Sequence, residues 1–246
     1  MSATSEFISA VRTVNSHVKE VNDVVESYYV RDYTEEMSEI DDLSQLETKI
    51  VEPEEIPEDA SNPLVLMNCH RHSKYYGVIA RPGLNYFAMR YSYDFVASLA
   101  AQIQDDRDPE KFLQAREIEM KSDNPEEIAR QATIELLTDF GESNLEELEY
   151  QLMDRLLQED VYAEIIWETF DHTDNEIIEG FDIVTRVFPY ESTFSPSEFD
   201  SRVQKIVTLG RRGSNFINYS FNLDEVADQA DINWVSGAED EMDIIS

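Results

Sequence analysis

Cys69, His70 and His72 form the one cluster in this chain with metal-ligand types. On a strand, residues two apart share a face, so His70 and His72 could both reach one zinc ion. A zinc site needs a third and a fourth ligand, and the only other histidines are His17 and His172. No second cysteine, CxxC or HxxxH pattern supports the cluster, so the expectation is a pair of histidines at a hairpin edge, with no metal and no cofactor. Carboxylates total 53. At that density, neighbours such as Asp105 and Asp106, or Asp174 and Glu176, carry no information about acid–base catalysis. The seven glycines make no phosphate-cradling loop, and Gly-x-Ser-x-Gly is absent. No enzyme is expected.

Charge placement says more than any of these. No Asp or Glu occurs from Ala60 to Tyr93, while Arg71, Lys74, Arg81 and Arg90 do. A second acid-free run, Ser201 to Leu223, carries Arg202, Lys205, Arg211 and Arg212. Burial of strands accounts for a lack of acids at Val78 or Ile79. It accounts poorly for cations in expected turns, namely Arg71, Lys74, Arg211 and Arg212. We therefore expect a partner-binding surface of Arg71, Lys74, Tyr75, Tyr76, Tyr86, Arg90, Arg211 and Arg212, the two runs meeting in space.

The elements that must position this surface sit in a chain of 246 residues with net charge −34 and a sequence pI near 4.2. Apolar residues at 41% suffice for a folded core, so global disorder is excluded. Such a charge would repel itself in ordinary buffer, and molar salt, with a Debye length of about 3 Å, removes most of that cost. The composition reads as that of the cytosol of salt-accumulating archaea or of their viruses, against the alternative of an ordinary protein with acidic tails. The single cysteine excludes an internal disulfide, the N-terminus lacks a signal-peptide layout, and no apolar run reaches about 20 residues. A soluble cytoplasmic protein is expected, with no membrane contact.

Phe7, Val11, Val14, Val18, Val21, Val25 and Tyr28 alternate spacings of four and three. That is a heptad seam on one helix over residues 1–30, which needs a partner: a second copy, giving a homo-oligomer, or a helix of the same chain near Leu145. Asn15 and Asn22, beside the seam, are read as solvated. Residues 31–62 form an acidic linker, with twelve acids and one lysine between Asp32 and Asp59. A weak helical pattern runs through it over Met37, Ile40, Leu43 and Leu46.

A first α+β unit, 63–142, should hold an antiparallel meander of Leu64 to Cys69, Tyr75 to Ala80 and Leu84 to Tyr91, with a Pro82–Gly83 turn. Helices should follow at Tyr93 to Gln104, Pro109 to Lys121 and Pro125 to Phe140, the last two capped by Asp108 and Asn124. A second unit, 143–223, should hold a helix over Leu145 to Leu157 capped by Asn144, a hairpin of Val161 to Phe170 with Ile177 to Tyr190, and a helix from Ser195 stopped by Gly210. A last strand over Asn215 to Asn222 completes it. Residues 224–246 read as a disordered acidic tail. The fold class is α+β, helices flanking antiparallel sheet, with one hairpin–helix pattern occurring twice; Arg90 to Tyr93 and Arg186 to Tyr190 occupy matching places.

The arrangement of helix, hairpin, helix and final strand resembles the secretion-chaperone-like α+β domains. The likeness rests on Phe188 to Leu223, where Phe-Pro-Tyr, an amphipathic helix and Gly-Ser-Asn-Phe precede the expected strand. The resemblance implies a binding role, as dimer or tandem, without catalytic residues. The expected function is thus a non-catalytic, chaperone- or adaptor-like protein that binds a protein partner through a sheet face or edge. Alternatives are an assembly component of a salt-loving virus and a nucleic-acid-associated protein. The charge and the salt both disfavour the last, because phosphate contacts weaken steeply with salt.

Overall fold

The computed structural model describes residues 3–22, 24–30, 49–50, 64–71, 74–170 and 176–221. Among these lie six helices and seven strands. The helices are α1 (Ala3–Val21), α2 (Phe95–Asp106), α3 (Pro109–Ala115), α4 (Pro125–Phe140), α5 (Glu142–Leu156) and α6 (Pro196–Ser220). The strands are β1 (Val24–Val30), β2 (Lys49–Ile50), β3 (Leu64–Arg71), β4 (Lys74–Ala80), β5 (Phe87–Asp94), β6 (Val161–Thr169) and β7 (Glu176–Val187). They form one sheet in the order β2-β1-β3-β4-β5-β7-β6, antiparallel from β2 through β5. The fold is α+β, as expected.

Two compact units share these elements. The first comprises Met1–Ser92, Leu157–Tyr162 and Ile183–Gly210, the second Tyr93–Leu156, Ala163–Asp182 and Arg211–Ser246. They interleave along the chain and so differ from the sequential units expected at 63–142 and 143–223. The reason is that β5, β6, β7 and α6 each run from one unit into the other, and a contact pattern crossing an element is invisible to composition.

In the first unit, α1 keeps the seam only as far as Val21. Phe7, Val11, Val14 and Val18 are buried by the chain itself, with Phe7 edge-on to Phe87 at 6.0 Å between ring centroids. Val25 and Tyr28, placed by spacing on the same helix, stand on β1. The helix ends because the Asn22 side chain donates to the Val18 carbonyl, satisfying a C-terminal acceptor, and β-branched and aromatic residues follow. A seam with Val14 at 0% exposure offers no face to a second copy, so self-association through it is corrected to packing within the chain. The two asparagines are corrected as well: Asn15 is buried, and the half-buried Asn22 accepts from Tyr76. The linker reading also changes at one place, where Lys49 and Ile50 pair with Tyr29 and Tyr28. The rest of the linker, including the pattern from Met37 to Leu46, and the tail from Asp224 lie outside the described residues.

The expected antiparallel meander forms, with Val65 opposite Ala80, Ile79 opposite Ala88, and Gly83 at φ +83° in the turn. The second unit holds the middle helices. Asp94, Asp108 and Asn124 each accept from a first-turn amide of α2, α3 and α4, and Gly141 follows the end of α4. α3 is shorter than its expected reach to Lys121, stopping before the left-handed Glu117 at φ 59°. α5 starts at Glu142, ahead of Asn144, and buries Leu145, Leu148, Leu152 and Leu156. Phe221 meets Phe95 at 5.2 Å and Phe140 at 4.6 Å.

The largest departure is at the end of the chain, where α6 passes through Gly210 and continues to Ser220, replacing the expected last strand. Gly210 is a packing residue. A Cβ built there would lie 2.4 Å from the Tyr91 ring, and one at Gly213 would lie 2.6 Å from the Phe181 ring. Each glycine lets an aromatic ring touch the helix backbone, and that contact outweighs a local stop signal worth about 1 kcal/mol.

Candidate functional site

The open face of β3, β4 and β5, in the first unit, holds a shallow hollow. Side chains alternate along a strand, so β4 sends Tyr75, Gly77 and Ile79 one way and Tyr76, Val78 and Ala80 the other. Register carries the alternation across the sheet: Leu66 stands opposite Ile79, Asn68 opposite Gly77, His70 opposite Tyr75, and Arg90 opposite Gly77. The result is a trough of about 440 Å³ lined by Leu66, Asn68, Tyr75, Gly77, Ile79 and Arg90, among others. Its lining includes no carboxylate, although Glu26 of β1 pairs in register with Asn68 one strand beyond.

Three features give this trough its chemistry. Tyr75 is 72% exposed, and its ring lies 4.8 Å from the His70 ring, which supports it from the next strand. Gly77 leaves the floor bare: an added Cβ would meet nothing nearer than the Met67 carbonyl at 3.9 Å. Arg90 is exposed at one rim. An aromatic ring, a guanidinium and an amide around an apolar floor suit an apolar or aromatic side chain on an extended segment.

Sequence reasoning placed eight residues on one surface, six of them in the first unit and two in the second. Tyr75 and Arg90 share the trough. Tyr76, adjacent to Tyr75, points to the buried face at 3% exposure, where its hydroxyl donates to Asn22 Oδ1 at 2.8 Å. Burial pushes its phenol pKa up, and the neighbouring Cys69 adds to this. Arg71 is half-buried and bonded to Asp200 of α6, so it is a structural cation. Lys74 stands in register with Arg71, away from the trough. Tyr86 precedes β5 and carries the Arg186 guanidinium 4.5 Å from its ring centroid, with Phe188 edge-on at 6.4 Å. Arg211 and Arg212 are exposed and open the part of α6 that belongs to the second unit.

The metal reading can be judged residue by residue. Cys69 is buried, its thiol donates to the Met67 carbonyl at 3.6 Å, and burial pushes its pKa up to about 12. His70 points to the opposite face and stacks on Tyr75, so the two cannot ligate one ion. His72 lies outside the described residues. No group of three or more His, Cys, Asp or Glu able to hold a metal ion occurs among the described residues.

Sequence reasoning missed His70 as a stacking partner, Gly77 as a trough floor, and Arg186. The first two were legible, because once β3 and β4 are paired about residues 72 and 73, register puts His70 opposite Tyr75. Arg186 was not, because its partner is a hundred residues away. Among the described residues no helix is long and apolar enough to cross a membrane. The strand expected after Gly-Ser-Asn-Phe, on which the family likeness rested, is helix. No protein-family model matches the chain, nor does any curated protein or any solved structure.

Proposed function

We propose that this chain is a non-catalytic cytosolic binding protein adapted to high salt, whose open sheet face receives a segment of a protein partner. The observation that carries the reading is the trough itself: an exposed Tyr75 braced by His70 over the bare Gly77 floor, with Arg90 at the rim. A large exposed ring on a soluble surface is expensive to leave in water unless something covers it, and molar salt strengthens apolar contact while screening the charge. A trough with one cation in a chain of charge −34 also selects against generic basic ligands. Nucleic acid is the weaker candidate, because phosphate contacts fade as salt rises.

The experiment uses the full chain as bait in its native cytoplasm at native salt, beside Gly77→Thr and Arg90→Glu. Gly77 has room for a Cβ and ordinary backbone, so Gly77→Thr fills the trough without unfolding the sheet. A partner retained by the wild type and lost by Gly77→Thr supports the reading; equal recovery on both refutes it.

A second reading, an assembly component, is favoured by the sheet ending on β6, a nine-residue strand whose Tyr162 is 61% exposed. An uncovered end strand templates pairing with another chain. Gel filtration in molar salt separates the two: a large closed particle favours assembly, and a small species favours the adaptor.

A further inference from the structure

A second recessed site in the first unit combines two guanidinium groups with aromatic walls. The cleft, about 450 Å³, is lined by Asp160, Tyr162, Thr185, Arg186, Phe188 and Arg202. It shares Asp160 and Arg202 with a neighbouring hollow of about 540 Å³ that adds Ser195, Ser201 and Lys205. In a protein with 53 acids and 19 bases, these two linings together hold three cations against Asp160 and Glu198.

The state of each cation decides what the cleft can take. Arg186 is exposed and lays one face on the Tyr86 ring, 4.5 Å from its centroid. A guanidinium held by stacking has already lost much of its side-chain freedom, and its edge still offers a planar fork of donors. Arg202 is bound loosely, 3.6 Å from an Asp160 carboxylate that is 64% exposed, a pair weak enough for an incoming anion to displace. Lys205 is committed, donating to the Glu159 carbonyl, and fixes the loop that carries Asp160. Asp160 itself holds φ at 64°, with its own carbonyl accepting from Thr185 Oγ1 at 2.9 Å. Tyr162, 61% exposed, and the partly exposed Phe188 supply ring faces in the same cleft.

We infer that this cleft binds a phosphate monoester that carries an aromatic ring, of mononucleotide size, its oxyanion between Arg186 and Arg202 and its ring against Tyr162 and Phe188. The volume suits such a ligand, and two guanidinium groups favour a planar or tetrahedral oxyanion over a lone halide. The salt of the proposed environment weakens the phosphate contact and strengthens the ring contact, so each half binds weakly by itself and the two together bind more tightly.

The test is isothermal titration of the full chain in molar KCl with each of the four ribonucleoside 5′-monophosphates, with inorganic phosphate and with adenosine. We expect at least one monophosphate to saturate one site and inorganic phosphate to compete for it. Adenosine should bind about tenfold or more weakly, the loss of a charge-assisted contact. Arg186→Gln with Arg202→Gln should abolish saturation, and Tyr162→Ala should weaken the monophosphate while leaving phosphate competition intact. Arg211→Gln, in the other unit, should change nothing. Circular dichroism of each variant separates lost binding from lost folding. No saturable binding by any of the four, or binding unchanged in the double variant, overturns the assignment. Binding of phosphate and monophosphate with equal affinity overturns the aromatic half.

Discussion

The two faces of the same three strands teach different things about the same absence of acids. On the covered face, Met67, Cys69, Tyr76, Val78, Met89 and Tyr91 are all buried. Carboxylates are missing there because an unpaired buried charge would destabilise the fold by several kcal/mol, on the order of 3–5. On the open face, Asn68, Tyr75, Gly77, Arg90 and Ser92 line a trough in contact with water, where burial forbids nothing. An acid-free stretch in a chain of charge −34 is therefore one signal with two causes, alternating residue by residue. Tyr75 and Tyr76 are the sharpest case, adjacent in sequence at 72% and 3% exposure.

Breaking the covered face should give the largest effect. Tyr76→Ala removes a buried ring and its bond to Asn22, and we expect a loss of about 3–5 kcal/mol in urea unfolding monitored in molar salt. A loss below about 1 kcal/mol would mean that the two faces are energetically alike. Next comes Gly210→Ala, which drives a methyl into the Tyr91 ring and should cost about 1–3 kcal/mol. An end of α6 at Gly210 would instead leave that change nearly silent.

Tyr75→Ala then sharpens the contrast from the other side. Stability should stay within about 0.5 kcal/mol, while recovery of a protein partner falls. A stability loss as large as that of Tyr76→Ala would show that the open face is covered in the folded chain.

The smallest effect is in pH. Burial raises the Cys69 thiol from 9.0 to about 12, so the folded state keeps a proton that the unfolded state releases. Its stabilising contribution is complete below pH 9.0 and is lost as pH rises toward 12. Cys69→Ala should flatten the alkaline slope in a series of melts. The native thiol should also resist a disulfide reagent at pH 8 and react on unfolding; fast native modification would contradict its burial.

Local signals were read correctly where local chemistry decides them. Asp108 before Pro109 and Asn124 before Pro125 cap as expected, because a cap is settled within three residues. Alternating Val, Ile, Tyr and Met set the three strands for the same reason. The readings that failed each hung on a distant partner. Val25 and Tyr28 continue a heptad by spacing but answer to β3, and Gly210 ends a helix by type but answers to Tyr91.

By itself the sequence determined the α+β class, the type and order of the helices and strands in the middle of the chain, and the net charge of −34. Periodicity, capping and Coulomb repulsion act over a few residues or over the whole chain at once, and both ranges can be read without coordinates. Tertiary structure alone decided which of Tyr75 and Tyr76 meets solvent, that Arg71 bonds to Asp200, and that Arg186 rests on Tyr86. Those outcomes are pairings between elements far apart along the chain. They are set by which face of each strand is covered, a choice that the whole fold makes together.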